Sequence, residues 1–307
     1  MHTSIHQTKK TTERNHAPHY IKKMNDRRII SFDWAVKRML RDKANFAVLE
    51  GLFKVLIGRD MRIVEILESE GNQEEATDKF NRVDVKAKDD NGDIIIVEVQ
   101  VTRQIHYLER ILYGVSKAIT EHIALGDDYD KVKKVYSINI LYFDFGEGTD
   151  YLYHGTTQFM GVHTHDKLSI STRENNVVTL TTPADIFPEY FLIRVNEFNQ
   201  VATTPIEEWL DYLKNQHIRP DTTAPGLQEA RQRLEVMTMP TEERQAYERH
   251  LQNLMLEKDA IKTAYDDAYM DMAIKMVNKG EDPAKIFEYT GIEPASQQLL
   301  KGRKPTR

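Results

Sequence analysis

Two carboxylates and one amide stand out in a stretch otherwise built for a β-sheet. Residues 80–101 read FNRVDVKAKDDNGDIIIVEVQV, and Asp84, Glu98 and Gln100 are the polar side chains around which a reaction could be organised. Two neighbouring acids can share one hard divalent cation, which prefers oxygen ligands, and an amide beside them can hold a water by donating and accepting hydrogen bonds. Such chemistry needs the acids to meet in space. Segments 82–88 and 94–101 are β-prone and flank a cluster of Asp, Asn and Gly, the pattern of a β-hairpin. Strand side chains alternate, so Ile94, Ile96, Glu98 and Gln100 share one face, and Ile95, Val97, Val99 and Val101 the other.

The turn decides whether the acids meet. A two-residue Asn91-Gly92 turn sets Asp84 opposite Val99, whose side chain points the other way. A three-residue loop of Asp90, Asn91 and Gly92, with Gly92 left-handed, sets Asp84 opposite Glu98. Directly opposed residues lie roughly 5 Å apart at Cβ, and we expect this second register. The second strand is apolar enough to be covered on both faces, where an ionised carboxylate is costly unless paired or metal-bound. Without a cation the acids repel, and one tends to keep its proton. An ordinary sheet offers a different account, in which Glu98 forms a salt bridge with Arg82 or Lys86.

An Asp on one strand, followed across a hairpin by Glu-x-Gln, resembles the metal site of the PD-(D/E)XK nuclease superfamily. DVKAKDDNGDIIIVEVQ is similar in particular to the Rpn-type branch of recombination-promoting nucleases and transposases, in which Gln takes the place of the usual Lys. The resemblance implies Asp84 and Glu98 as metal ligands, joined by the Val99 carbonyl, with Gln100 as the third catalytic motif position. It implies a magnesium (Mg2+) dependent endonuclease that hydrolyses DNA phosphodiesters in recombination or mobile-element biology. Gln100 has no proton to exchange near neutral pH, so its part would be to orient water. The alternative is a catalytically weak or inactive nuclease fold that binds DNA or a partner protein. A Lys or Arg held against Asp84 and Glu98 would favour that alternative.

The flanking segments must position these groups. Segments 31–42 and 44–58 read as helix, with Ser31 as a cap and Gly58 as a stop, and 61–69 reads as a first strand. Asp33 and Lys37 resemble the Asp-x-x-Phe-Lys opening of the same branch, with Val36 in place of Phe. Asp33 could approach the site from this helix, but reads first as a surface acid in a first helical turn. After the hairpin comes a helix over 103–125, with Ile105, Leu108, Leu112, Val115 and Ile119 as its apolar stripe. Arg103, Tyr107, Arg110, Gly114 and Lys117 fall opposite, and Arg103 and Lys117 there could hold phosphates or form a solvated face. The resemblance adds Arg110 and Tyr113 as substrate-binding residues. A β-prone run over 135–145 completes an α-β-β-β-α-β order, giving an α/β fold with a mixed sheet and a restriction-endonuclease-like core.

The predicted organisation is a disordered tail over 1–28, a nuclease domain over 29–216 and a helical C-terminal extension over 217–307. In the extension, helices are expected over 227–237 and 241–278, with two short ones around Thr290 and Gly291, offering a route to homo-oligomers. Hydrophobic residues make up 40% of the 307 and charged residues 29%, as in ordinary globular chains. No run reaches the roughly 18 apolar residues of a membrane span, and the N-terminus lacks the apolar core of a secretory signal, so a cytoplasmic location is expected. Cysteine is absent, which excludes thiolate metal sites. A net charge of -6 counts against DNA binding as a bulk property, although phosphate contacts are local.

Overall fold

The computed structural model describes residues 29–67, 83–123, 126–174 and 177–305. The expected tail over 1–28, the polar connection over 71–78 and Arg82 lie outside them. The chain forms two compact units, Met1–Thr238 and Met239–Arg307.

The first unit opens with α1 (Phe32–Arg38) and α2 (Phe46–Ile57), followed by β1 (Ile63–Leu67), β2 (Val85–Asp89) and β3 (Ile94–Gln100). Ser31 is the N-cap of α1, although its hydroxyl makes no capping bond, and Gly58 closes α2 in the left-handed conformation. Next come α3 (Tyr107–Thr120), β4 (Val135–Leu141), β5 (Leu152–Gly155) and a separate hairpin of β6 (Ile170–Glu174) and β7 (Val177–Thr181). The short α4 (Pro183–Ile186), β8 (Glu189–Arg194), α5 (Pro205–Asn215) and α6 (Leu227–Arg233) complete the unit. The main sheet is mixed, in the order β1-β2-β3-β4-β8-β5. β3 and β4 are its parallel centre, buried along almost their whole length, which is what their near-continuous apolar sequences require.

The crossover between these two strands is α3. Val115 and Ala118 pack on Ile94, Ile96 and Val135 of the sheet. The helix is turned away from the expected stripe. Tyr107, Ile111, Gly114, Val115 and Ala118 are its buried residues, whereas Ile105 is 90% exposed and Leu108 and Leu112 stay open to solvent. The reason is Tyr107. Its ring stands edge-on to Phe143 and Phe145, 6.1 and 5.7 Å away between centroids, and its hydroxyl reaches Asn139 at 3.3 Å. An aromatic ring with a satisfied hydroxyl outweighs the burial of two leucines. The helix also begins four residues later than expected, leaving Arg103 and Ile105 in the preceding loop.

The segment after α5 belongs to this first unit. Ile218, Ala224, Leu227, Ala230 and Leu234 are buried, and the Ile30 amide donates to the Leu234 carbonyl at 2.7 Å. The tightest point is Gly51 of α2 against Gly226. A Cβ on Gly51 would lie 2.3 Å from the Gly226 nitrogen and 2.4 Å from the Pro225 carbonyl carbon, so only glycine permits the approach.

The second unit contains α7 (Thr241–Lys279), α8 (Pro283–Thr290) and α9 (Pro294–Gln297). Gly280 and Gly291 end α7 and α8 in the left-handed conformation. Ala273, Ile274, Ile286 and Leu300 make a small core at the C-terminal end of α7. Among the described residues no helix is long and apolar enough to cross a membrane.

Candidate active site

The hairpin adopts the register that makes the acids neighbours. Val85 pairs with Val97 and Lys86 with Ile96, so one step further sets Asp84 alongside Glu98. The loop explains why. Gly92 is left-handed at φ 82°, and the buried Asp89 carboxylate accepts from the amides of Asn91 and Asp93 at 3.0 and 2.8 Å. Arg59 then ties Asp89 to Asp93, at 3.1 and 2.7 Å. These bonds fix a three-residue loop and, with it, every side chain downstream.

Asp84 sits just outside β2. Its Oδ2 accepts the Val99 amide at 2.7 Å, replacing a ladder bond by a side-chain one and holding the carboxylate against β3. Its Oδ1 lies 3.9 Å from Lys37 Nζ. Burial raises the Asp84 carboxyl above its usual range, opposed by the Val99 amide and by Lys37 and Arg110, while Asp33 pushes it further up. Asp33 is thus no surface acid. It is only 5% exposed, because α1 turns its first residues inward with Phe32 and Trp34.

Glu98 is 5% exposed and has Asn139 beside it across the parallel pair. Arg110 reaches down from α3 and forms an ion pair with its Oε1. Lys86, one of the two cations an ordinary sheet would offer Glu98, pairs instead with Glu121 at 2.6 Å. The Glu98 carboxyl is pushed up to about 7, first by burial, with the Asp84 charge adding to it and Arg110 opposing. Gln100 ends the same face of β3, and its Nε2 donates to the Thr102 carbonyl at 2.8 Å. Arg103 is exposed in the loop before α3. Tyr113 and Lys117 lie one and two turns beyond Arg110 along the helix.

Gln104, Lys37 and Asn139 were not singled out for this site by the sequence, and Tyr107 was placed there only as an aromatic among the basic residues of α3. Gln104 accepts from Arg110 Nη1 at 2.9 Å and steadies it. Lys37 faces Asp84. Tyr107 and Asn139 form a buried polar pair next to Glu98, and Asn139 also donates to Ser137 Oγ at 3.0 Å. Burial and the Glu98 charge both raise the Tyr107 hydroxyl, which stays a proton donor. Ser137 and Asn139 interrupt VYSINIL two residues apart, as Glu98 and Gln100 interrupt β3, and that periodic signal could have exposed them.

The donor set suits a hard divalent cation. Among the described residues no cluster of three or more His, Asp or Glu side chains is spaced to hold a metal. A cation here would rest on Asp84 and Glu98, with backbone and water oxygens for the remainder. Both acids carry an ionisation cost from burial that a divalent charge would offset.

A mixed sheet entered through α-β-β-β, crossed by α3 and carrying acids at the end of its central hairpin is consistent with a PD-(D/E)XK, restriction-endonuclease-like fold. The family model described as PD-(D/E)XK nuclease family transposase matches residues 30–174, which include α1, the hairpin, α3 and β4. Over that span the chain is nuclease-like. Comparison with curated proteins and with solved structures gives no match.

Proposed function

We propose that this chain is a Mg2+-dependent DNA endonuclease with its active site at Asp84, Glu98 and Gln100. The observation that carries the reading is the register, which brings the buried Glu98 and the half-buried Asp84 together where a sheet gains nothing from them. A divalent ion bound there supplies charge for a scissile phosphate and lowers the pKa of water. Asp84 is pre-set for binding by its bond to the Val99 amide, and the Val99 carbonyl is the backbone ligand of this reading. Gln100 orients the attacking water through its amide. Arg110 and Lys37, which compensate the acids in the resting chain, become available to phosphate oxygens once their carboxylates are otherwise neutralised. Arg103, in the loop before α3, and Tyr113 and Lys117, further along the helix, extend the substrate contact. The biological setting is recombination or mobile-element traffic within the cytoplasm.

A second reading has its own support. Lys37 and Arg110 are held against the two acids, the arrangement expected of a weak or inactive nuclease fold that binds DNA or a protein. Plasmid nicking with and without Mg2+, beside an equally folded Glu98→Ala protein, separates the two. Metal-dependent cutting lost in the variant supports the nuclease. Absence of cutting over a range of divalent metals and DNA forms supports the binding module.

A further inference from the structure

The helix α7 carries a pattern that the nuclease reading leaves unused. Leu251, Leu254, Lys258, Ile261, Tyr265 and Ala268 follow one another at alternating spacings of three and four residues, and Met272 continues the series. The spacing is that of the seam positions of a two-helix coiled coil over about three heptads, while exposed Met255, Leu256, Tyr269 and Met270 lie off it. The seam is open. Ile261 is 42% and Tyr265 60% exposed, Leu251 and Leu254 are half-buried, and every residue over 255–270 faces water. A helix bare around its whole circumference gains nothing from packing and is marginal by itself. The C-terminal end is secured by Ile274, Ile286 and Leu300, and Tyr247 near the N-terminal end is buried.

We propose that this seam pairs with the same seam of a second copy of the chain, in antiparallel orientation. A parallel, in-register pair would stack Lys258 on Lys258, two ammonium groups in one layer, and Ala268 on Ala268, an underfilled layer. The antiparallel register with Lys258 opposite Ile261 removes both faults. It sets Leu251 against the small Ala268 and Leu254 against Tyr265, so every layer joins unlike side chains. The Lys258 stem lies along Ile261 while its ammonium reaches water. The same register brings His250 near Asp271 of the second copy, a pair of complementary charge when the imidazole is protonated.

Sedimentation equilibrium of the full chain at micromolar concentration tests this without DNA or metal, so its outcome is separate from that of the nuclease reading. The chain sediments as a dimer, Ile261→Asp as a monomer that keeps a cooperative thermal melt but has less helix, and Lys258→Leu associates about tenfold more tightly. A monomeric unaltered chain overturns the proposal, as does an Ile261→Asp protein that still dimerises. Because the chain has no cysteine, introduced thiols report orientation cleanly. Leu251→Cys mixed with Ala268→Cys gives a mixed disulfide, and neither variant links to itself. A self-linked dimer of either one overturns the antiparallel arrangement.

Discussion

Replacing Gly51 by alanine tests whether the segment after α5 is part of the fold that carries the site. Alanine in mid-helix is worth about 1 kcal/mol over glycine from propensity alone. Against this, the new Cβ would sit 2.3 to 2.4 Å from three backbone atoms of Pro225 and Gly226, more than 1 Å short of a contact distance of about 3.5 Å. No side chain can swing aside, because the obstacles are main chain. The turn at 225–226 has to lift off α2, loosening buried Leu227 and Ala230 and the 3.0 Å bond from Trp209 Nε1 to the Pro225 carbonyl. Overpacking at a rigid contact costs about 3 kcal/mol, and together with the lost packing it exceeds the propensity gain, for a net loss of about 2 to 3 kcal/mol. Gly58→Ala is the control, since its φ is 82° and nothing lies within 4 Å of a Cβ there, leaving only the left-handed backbone cost of about 1 kcal/mol. Urea unfolding of the three proteins supplies the comparison. If Gly51→Ala matches the parent, or loses less than Gly58→Ala, the packing argument is wrong.

Three further outcomes follow from the same structure. Leu108→Lys leaves stability within about 0.5 kcal/mol, whereas Ile111→Lys, on the buried face of α3, prevents folding or costs more than about 3 kcal/mol, as thermal melts will show. Mg2+ at a hundredfold excess over its dissociation constant stabilises the chain by about 3 kcal/mol, and Glu98→Gln abolishes the rise in melting temperature while leaving the metal-free protein folded. Glu207 of α5 is held down to about 2 by bonds from Thr203, the Thr204 amide and Tyr151, so its contribution is complete above pH 4.5 and is lost as pH falls towards 2. Glu207→Gln therefore loses about 1 to 2 kcal/mol at pH 7, and the stabilities of variant and parent converge only as pH falls below about 2.

The hairpin could be read from the sequence because its determinants are local. Gly92, the acids of the loop and the alternation of β3 lie within 20 residues, and together they select one register. The ends of α7 and α8 were legible for the same reason, since Gly280 and Gly291 are stop signals in themselves. The buried face of α3 was not. Two faces of that helix are apolar enough to serve, and the choice depends on Phe143, Phe145 and Asn139, more than 30 residues downstream of Tyr107. Asp33 was misread in the same way. A first-turn acid is ordinarily solvated, and only the inward turn of α1 onto the hairpin buries it. The packing of the segment after α5 rests on a glycine pair 175 positions apart, Gly51 and Gly226, which no local pattern announces.

The charges at the site explain how such a constellation can be folded before any cation arrives. Two acids, Asp84 and Glu98, occupy the end of a covered sheet with Asp33 of α1 nearby, and burial alone would drive the Asp84 and Glu98 carboxyls towards the neutral form. Sequence reasoning assigned the retained proton to repulsion between the pair. In the structure burial is the larger cause and the Asp84 charge the smaller one, which is why Glu98, on the strand, is shifted to about 7. Arg110 and Lys37 keep that cost within what the fold can bear, each from a helix at the edge of the site. Arg110 is itself held by Gln104, so it has a second anchor when it leaves Glu98. A cation that must be tolerated by the acids in the resting chain, and be free to turn to a phosphate in the working one, is better served by a long, half-exposed side chain on α3 than by a buried neighbour on the sheet. Lys86, which is on the sheet and buried, is accordingly committed to Glu121 and takes no part.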